Sequence, residues 1–302
     1  MIQLVSAASL GVARPALRLG GEWAGWKCAF NPRSGAVITD AVKRYCSDEM
    51  IEWDQVPFGF EVCTTETWDG NPPDSVLNRR LVQLLPEDGC NTENLSAIVA
   101  RATLAKPISG TNELAPGQGL EVDVLNTRAW ALDAAISESL WRCEAIFDGI
   151  GGIRPRMRRN AVECPAERTR VEITFDPATG ELATKEPVVI CQERCWMARP
   201  SADFQVREGG GRSGLDAAWV SSVVGLGCFA EQPPIEDRDG ILCLPGGIEV
   251  HAQPGLLEVV LDQSVDGTEK KVLLRRSWVG SSRFVEVVVS GEAQTEFQRD
   301  SE

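Results

Sequence analysis

The sequence predicts a mainly β protein, built as an antiparallel up-and-down barrel with few helices. Apolar residues recur with a period of two in short runs, which is typical of half-buried strands. Turn-forming pairs, such as PG at 254–255 and DG at 266–267, separate these runs in the C-terminal third. Strands so close together are joined by hairpins, and neighbours in the chain are therefore expected to pair.

The first strand is expected to open at 21–23 (GEW), after an arm without strand character. A helix is expected over 126–141, because Asn126 is a suitable cap and Leu132, Ile136 and Leu140 follow at four-residue spacing. The other strand runs are 58–63, 120–125, 171–175, 248–252, 256–261, 271–275 and 283–289.

The length of 302 residues fits either one large barrel over 21–302 or two lobes, 21–150 and 151–302. A match without gaps between 21–37 and 166–182 favours two lobes, since both segments predict a strand, a Phe-Asn/Asp-Pro-x-Ser/Thr-Gly turn and a second strand. Convergence on one hairpin turn remains the alternative, because Pro fixes φ and Gly accepts positive φ in any such turn.

Residues 1–20 contain Arg14 and Arg18 but no acidic residue, in contrast to the acidic remainder. This bias is typical of the tail of an organelle transit peptide. The alternative is an N-terminal helix that packs Leu4, Leu10 and Leu17 against the body. The arm is therefore expected to be either a targeting segment or a docked helix.

The formal net charge of -14 disfavours nucleic acid and anionic lipid as partners, because binding either one normally requires clustered Lys or Arg. No apolar run reaches the roughly 20 residues of a membrane-spanning helix. We therefore expect a soluble or peripheral protein without a membrane span.

Few residues suit catalysis or metal binding. The ten cysteines are scattered, and a regular strand would hold Cys191 and Cys195 roughly 13 Å apart, too far for a disulfide. With one histidine and no Cys-x-x-Cys pair, no metal site is expected.

No catalytic motif is present, and His251 is the one histidine available as a general base. No catalytic residue is therefore assigned, and a binding protein is favoured over an enzyme.

Three segments carry a family resemblance: 19–25 (LGGEWAG), 30–35 (FNPRSG), and the terminal strands with 275–278 (RRSW) and 283–286 (RFVE). They resemble an uncharacterised lipocalin-like family of photosynthetic organisms, related in fold to the phycobiliprotein lyases. The resemblance implies a structural signature in which Gly21 and Trp23 close the barrel floor. An arginine near the end of the last strand would pack across the indole, and the candidates are Arg275, Arg276 and Arg283.

The resemblance further implies a carrier for a hydrophobic chromophore or lipid in a chloroplast or other plastid, and the ligand classes considered are a tetrapyrrole and a carotenoid. Nine tryptophans against one tyrosine suit stacking on a conjugated ligand, although indoles also simply fill cores. Arg276 and Glu286 would form a ligand anchor inside the calyx or a cross-strand pair outside it. The predicted ligand-binding residues are Trp26, Trp196, Arg276, Trp278 and Glu286.

Four guanidinium groups lie within the six residues 154–159 and are expected either to dock an anion or acidic partner or to form a solvated loop. They belong to Arg154, Arg156, Arg158 and Arg159. Two further functions stay open. One is a structural accessory subunit of a photosynthetic protein complex. The other is an isomerase or cyclase that acts on a bound apolar substrate.

Overall fold

The computed structural model describes residues 21–69, 76–84, 96–105, 112–113, 118–124, 127–148, 167–197, 241–265, 268–280 and 282–290. Strands dominate these residues, and the helices α1 (Asp40–Lys43) and α2 (Asp48–Glu52) are short. The strands before residue 200 are β1 (Gly21–Phe30), β2 (Gly59–Asp69), β3 (Val76–Leu84), β4 (Ser96–Ala105), β5 (Asn112–Glu113), β6 (Gln118–Val124), β7 (Thr127–Ala135), β8 (Trp141–Asp148), β9 (Glu167–Asp176), β10 (Glu181–Leu182) and β11 (Val188–Met197). The strands after residue 240 are β12 (Ile241–Leu244), β13 (Ile248–Gln253), β14 (Leu256–Val265), β15 (Thr268–Val279) and β16 (Ser282–Ser290).

The first sheet has ten strands in the order β10-β9-β11-β1-β2-β3-β4-β6-β7-β8. Strand β8 also pairs with β9 along its whole length, so that β9 has β11 on one side and β8 on the other. Among the described pairs of this sheet, β4 with β6 is parallel and the others are antiparallel.

The second sheet has six strands in the order β12-β13-β14-β15-β16-β5. Each strand from β12 to β15 forms an antiparallel hairpin with the strand that follows it in the chain. The mainly β class, the antiparallel pairing and the small number of helices are therefore confirmed. The single up-and-down barrel is not confirmed, because β4 and β6 run parallel and the C-terminal strands form a separate sheet. Strands β9 and β11 follow residue 150 yet belong to the first sheet, and the division into two lobes at that residue stays a prediction.

One apolar core lies between the two sheets. Alternation along β9 directs Val171, Ile173 and Phe175 into it, and the second sheet contributes residues such as Val259 and Leu274. These five side chains have no solvent exposure. Complete burial of such a side chain contributes about 1.5–3 kcal/mol, so this contact is a main source of stability.

The helix predicted over 126–141 is wrong. Strands β7 and β8 form a hairpin there, and the Ser137 hydroxyl in its turn accepts a hydrogen bond from the backbone N–H of Leu140. Along β7, Ala129 and Ala131 face the core between the sheets. Alanine is a strong helix former in isolation, but here its small side chain fits a buried strand that packs closely on a second sheet.

The segment between β1 and β2, for which no element was predicted, forms α1 and α2. Val42 of α1 is buried in a second apolar cluster with Phe60 and Leu81 from the first sheet. The Ser47 hydroxyl caps α2 by accepting a hydrogen bond from the Met50 N–H. In the described part of the chain, no helix has the length and apolarity needed to cross a lipid bilayer.

The two segments that match in sequence, 21–37 and 166–182, contain the same turn. Asn31 and Asp176 each use their Oδ1 to accept hydrogen bonds from the backbone N–H groups two and three positions later. Gly35 and Gly180 close the turns with φ of +67° and +76°. Their N–H groups donate to the carbonyls of Asn31 and Asp176 at 2.9 Å each. The predicted turns are confirmed, and the duplication remains a prediction.

The turn at Gly180 also joins the two sheets. A Cβ atom on Gly180 would lie 2.2 Å from the nitrogen of Pro254, whereas a Cβ on Gly280, which also has positive φ, would meet nothing within 4 Å. Gly180→Ala is therefore expected to lower the free energy of unfolding by about 1–3 kcal/mol more than Gly280→Ala, measured by urea unfolding. Equal losses in the two variants would mean that the contact between the turns yields easily.

Candidate functional site

Charged side chains from five strands meet on the inner face of the first sheet, which we define as the face that does not pack against the second sheet. On β9, Arg168 and Arg170 point to this face because they alternate with Val171 and Ile173 of the intersheet core. The charged residues that meet there are all at least nine-tenths buried. They are Glu66, Arg79, Glu144, Arg168, Arg170 and Glu193, here named the Arg–Glu cycle.

The two arginines of β9 connect three carboxylates. Arg170 donates to Glu193 at 2.7 and 2.9 Å and to Glu144 at 2.9 Å. Arg168 donates to Glu193 at 2.7 Å and to Glu66 at 2.5 Å. Each arginine therefore bridges two carboxylates, and together the two join β9 to β2, β8 and β11.

Arg79 closes the cycle from β3. It donates to Glu66 and to Glu144, both at 2.5 Å. Arginines and glutamates thus alternate around a closed set of six charges, which sum to zero. Because β3 and β8 are not neighbours in the sheet, the contact between Arg79 and Glu144 crosses the inner face.

The charges of the cycle shift the pKa of several of its members towards the charged form. Burial alone would raise the pKa of Glu144, but Arg79 and Arg170 outweigh it and lower that pKa to about 2. Burial is likewise outweighed at Glu193, whose pKa lies well below the ordinary range because of Arg168 and Arg170. The pKa of Arg79 is raised above its ordinary value, since Glu144 and Glu66 outweigh burial. Glu144, Glu193 and Arg79 therefore favour their charged forms in the cycle.

Trp23 of the signature lies against this cycle. The Arg168 guanidinium carbon is 3.9 Å from the centre of the Trp23 ring, a cation–π contact. The expectation that an arginine of the terminal strands packs on Trp23 is wrong, because Arg283 instead lies 4.4 Å from the ring centre of Trp141. The partner of the signature indole comes from β9, while Gly21 opens β1 with a φ of +136°.

Arg276 and Glu286 do not form the predicted charged pair. Arg276 is fully buried between the sheets and donates to both oxygens of Asp133 at 3.0 and 3.1 Å. Glu286 lies on the opposite face of the second sheet, where it accepts from Arg275 at 3.2 Å and is 41% exposed. Arg275 and Arg276 are neighbours on β15 and point to opposite faces of the sheet, and Glu286 shares the face of Arg275.

The structure describes the side chains of two predicted tryptophans, Trp26 and Trp278. Trp26 is buried, and the ring centre of Trp278 lies 5.1 Å from that of Phe175 in the intersheet region. Four predicted site residues lie outside the described residues: Arg154, Arg156, Arg158 and Arg159. The side chain of Trp196 is also outside the described part of the structure. Their roles stay predictions.

A cavity of about 180 Å³ lies between α1 and the inner face of the first sheet. Its wall is mainly apolar, and its polar groups include Lys27, whose ammonium donates to the Gln83 side-chain carbonyl at 2.7 Å. Neither Trp26, Arg276, Trp278 nor Glu286 lines it. The apolar residues of the wall include Ala29, Ile38, Val42, Phe58, Phe60 and Val189.

The cavity and the Arg–Glu cycle lie at two levels of the inner face. Along β3, Gln83 lines the cavity and Arg79 belongs to the cycle, four residues or roughly 13 Å away. Leu81, between them, belongs to the apolar cluster under α1. The inner face therefore presents an apolar pocket near α1 and a charged, closed region farther along the strands.

Two groups discussed from the sequence, Cys191 and His251, lie in different sheets. Burial raises the pKa of the Cys191 thiol to about 11, which keeps it neutral and weakly nucleophilic. His251 lies on β13 of the second sheet, 3.7 Å from Glu249, and does not line the cavity. The arrangement of the cavity suits binding.

Sequence reasoning missed the Arg–Glu cycle. In β9, charged residues such as Arg168 and Arg170 alternate with Val171 and Ile173. An inner face that carries charges has the same period-two pattern as a strand with one face in water. No signal in the sequence separates these two cases, because the glutamates that pair with these arginines come from three other strands.

No protein-family model matches the chain, and no curated protein matches it. A solved structure from Nitrosomonas europaea, described provisionally as an AttH, covers 95% of this chain and 99% of its own chain at 10% identity, with a TM-score of 0.23. A TM-score this low does not establish a common fold. The resemblance to the lipocalin-like family of photosynthetic organisms therefore stays a prediction.

Proposed function

We propose that the protein is a lipocalin-like carrier that binds a small hydrophobic ligand in the cavity beneath α1. The observation that carries this proposal is the cavity itself, about 180 Å³ in volume and mainly apolar, at the end of the sheet where α1 packs. The pairing of β9 with both β8 and β11 supports a barrel-like arrangement around it. The Arg–Glu cycle and Trp23 would form the floor.

The size of the cavity limits the ligand. Pockets for drug-sized ligands begin at about 300 Å³, and this one is smaller. Of the ligand classes expected from the sequence, a short lipid-derived chain or a single ring fits this space, whereas a tetrapyrrole or a carotenoid exceeds it. We therefore favour a lipid-type ligand over a chromophore.

The polar groups of the cavity suit an acidic head group. The Lys27 ammonium has three donors, and the hydrogen bond that it makes among the described residues goes to the neutral side chain of Gln83. A ligand carboxylate beside Lys27 would gain a charge-assisted hydrogen bond without displacing another anion. We propose a small hydrophobic acid as the ligand class.

Filling the cavity tests this proposal. Ala29→Phe places a ring in the apolar wall, and it is expected to weaken octanol and octanoate binding about tenfold or more, measured by isothermal titration calorimetry. Lys27→Met should weaken octanoate binding and leave octanol binding unchanged.

Ala134→Phe is the matched control, because Ala134 is exposed near the end of β7. Circular dichroism of all three variants checks that each one is folded. Octanol affinity that is equal in the Ala29→Phe variant and the unaltered protein would place the ligand elsewhere and contradict the proposal.

A further inference from the structure

Exposed apolar side chains are concentrated in the segment between β1 and β2, part of which lines the cavity. Among the described residues, four of the six large apolar side chains that are notably exposed lie within residues 45–58. Within this segment the most exposed of them is Trp53, at 66%. These four, here named the mouth face, are Tyr45, Ile51, Trp53 and Phe58.

The backbone holds Trp53 in its exposed position. Its N–H donates to the carbonyl of Glu49 at the end of α2, and Asp54 follows with φ of +54°, in the left-handed region. The Gln55 N–H then donates to the carbonyl of Met50 at 2.8 Å and closes the turn. Trp53 thus lies at a hydrogen-bonded helix end, directly before a non-glycine residue, Asp54, with positive φ.

Two residues of the mouth face belong to the cavity wall. Tyr45 and Phe58 line the cavity and are also 37% and 44% exposed. The Tyr45 ring further lies 5.7 Å from that of Phe60, which lies deeper in the same wall. An apolar molecule moving between the cavity and the surface would therefore stay in contact with apolar groups.

Charge determines which apolar surface can approach. The exposed acidic residues of the segment are Asp48, Glu49, Glu52 and Asp54, and the chain carries a net charge of -14. Anionic lipid would be repelled by these carboxylates. A neutral, zwitterionic bilayer presents no such repulsion, and Trp and Tyr favour the interfacial region of bilayers.

We propose that the mouth face docks on the surface of zwitterionic lipid bilayers, where the carrier exchanges its ligand. The exchange step rests on the function proposed above, whereas the docking itself does not. The side chains of the mouth face would enter the head-group region, and the cavity would face the membrane.

Flotation with lipid vesicles tests the docking. The protein should float with pure phosphatidylcholine vesicles, and its bound fraction should fall when phosphatidylglycerol is added and recover in high salt. Trp53→Ser is expected to reduce the bound fraction severalfold. Val279→Ser, at a position equally exposed at 66% on the second sheet, should bind as the unaltered protein does.

Two results would overturn the docking: no flotation with phosphatidylcholine, as expected if the mouth face binds a protein instead, or equal flotation of the Trp53→Ser variant. Octanol affinity in vesicle-free solution separates the two proposals. If docking alone is wrong, octanol binding still depends on Ala29. If the carrier function alone is wrong, flotation still depends on Trp53.

Discussion

Replacing Arg170 with methionine is expected to lower the free energy of unfolding by about 3–5 kcal/mol. Arg170 holds Glu144 and Glu193, both less than a tenth exposed, and its removal leaves two carboxylates in a region where desolvation is severe. Urea unfolding followed by far-ultraviolet circular dichroism measures the loss. Adding Glu193→Met should restore part of the stability, because the cycle then again holds equal numbers of arginines and glutamates.

Arg142→Met is the matched control. Arg142, on β8, pairs with Glu172 of β9 at 3.3 Å, but its side chain is 48% exposed. Since exposed ion pairs contribute about 0–1 kcal/mol, this variant should unfold nearly as the unaltered protein does. Similar small losses in both variants would show that the Arg–Glu cycle is not a stabilising element.

Acid is expected to unfold the protein as the pH falls from about 4.5 towards 2. The pKa of Glu144 is lowered from 4.5 to about 2 in the folded chain, so the unfolded chain binds protons first. The stabilisation from this group is therefore complete above pH 4.5 and is lost as the pH falls through the folded pKa near 2. Glu193, whose pKa is also lowered, adds in the same direction.

Unfolding midpoints measured in urea at successive pH values test this dependence. The midpoint should decrease steeply below pH 4.5 for the unaltered protein and less steeply for Glu144→Gln, which cannot take up that proton. Glu286→Gln, at an exposed position of the second sheet, should keep the steep decrease. A midpoint that is constant down to pH 2 would contradict the assignment of Glu144 as a buried, charged acid.

Local patterns in the sequence predicted much of the secondary structure. The runs at 248–252, 256–261, 271–275 and 283–289 are β13 to β16, because half-buried strands with short turns leave a clear period of two. The 126–141 segment failed because its alanines and leucines fit a helical spacing as well as a buried hairpin. Its tertiary surroundings, a second sheet packed on Ala129 and Ala131, determined the outcome.

The site was much less predictable than the strands. The floor role of Trp23 stays a prediction, and its partner Arg168 lies 145 positions away in the chain, on a strand with no motif. The cavity depends on α1, whose four residues are too few for a periodic signal. The chromophore, the plastid and the photosynthetic partner follow from the family resemblance alone and stay predictions.

The placement of β1 between β2 and β11 determines when the first sheet can be completed during synthesis. One edge of β1 pairs with β2, which begins at residue 59. The other edge pairs with β11 and stays unpaired until residues 188–197 have left the ribosome. Contacts such as that between Thr64 and Glu193, 129 residues apart, require closure of long loops and place the chain among slow folders. Throughout that interval β1 carries an unpaired edge, so aggregation of nascent or truncated chains should start at this strand.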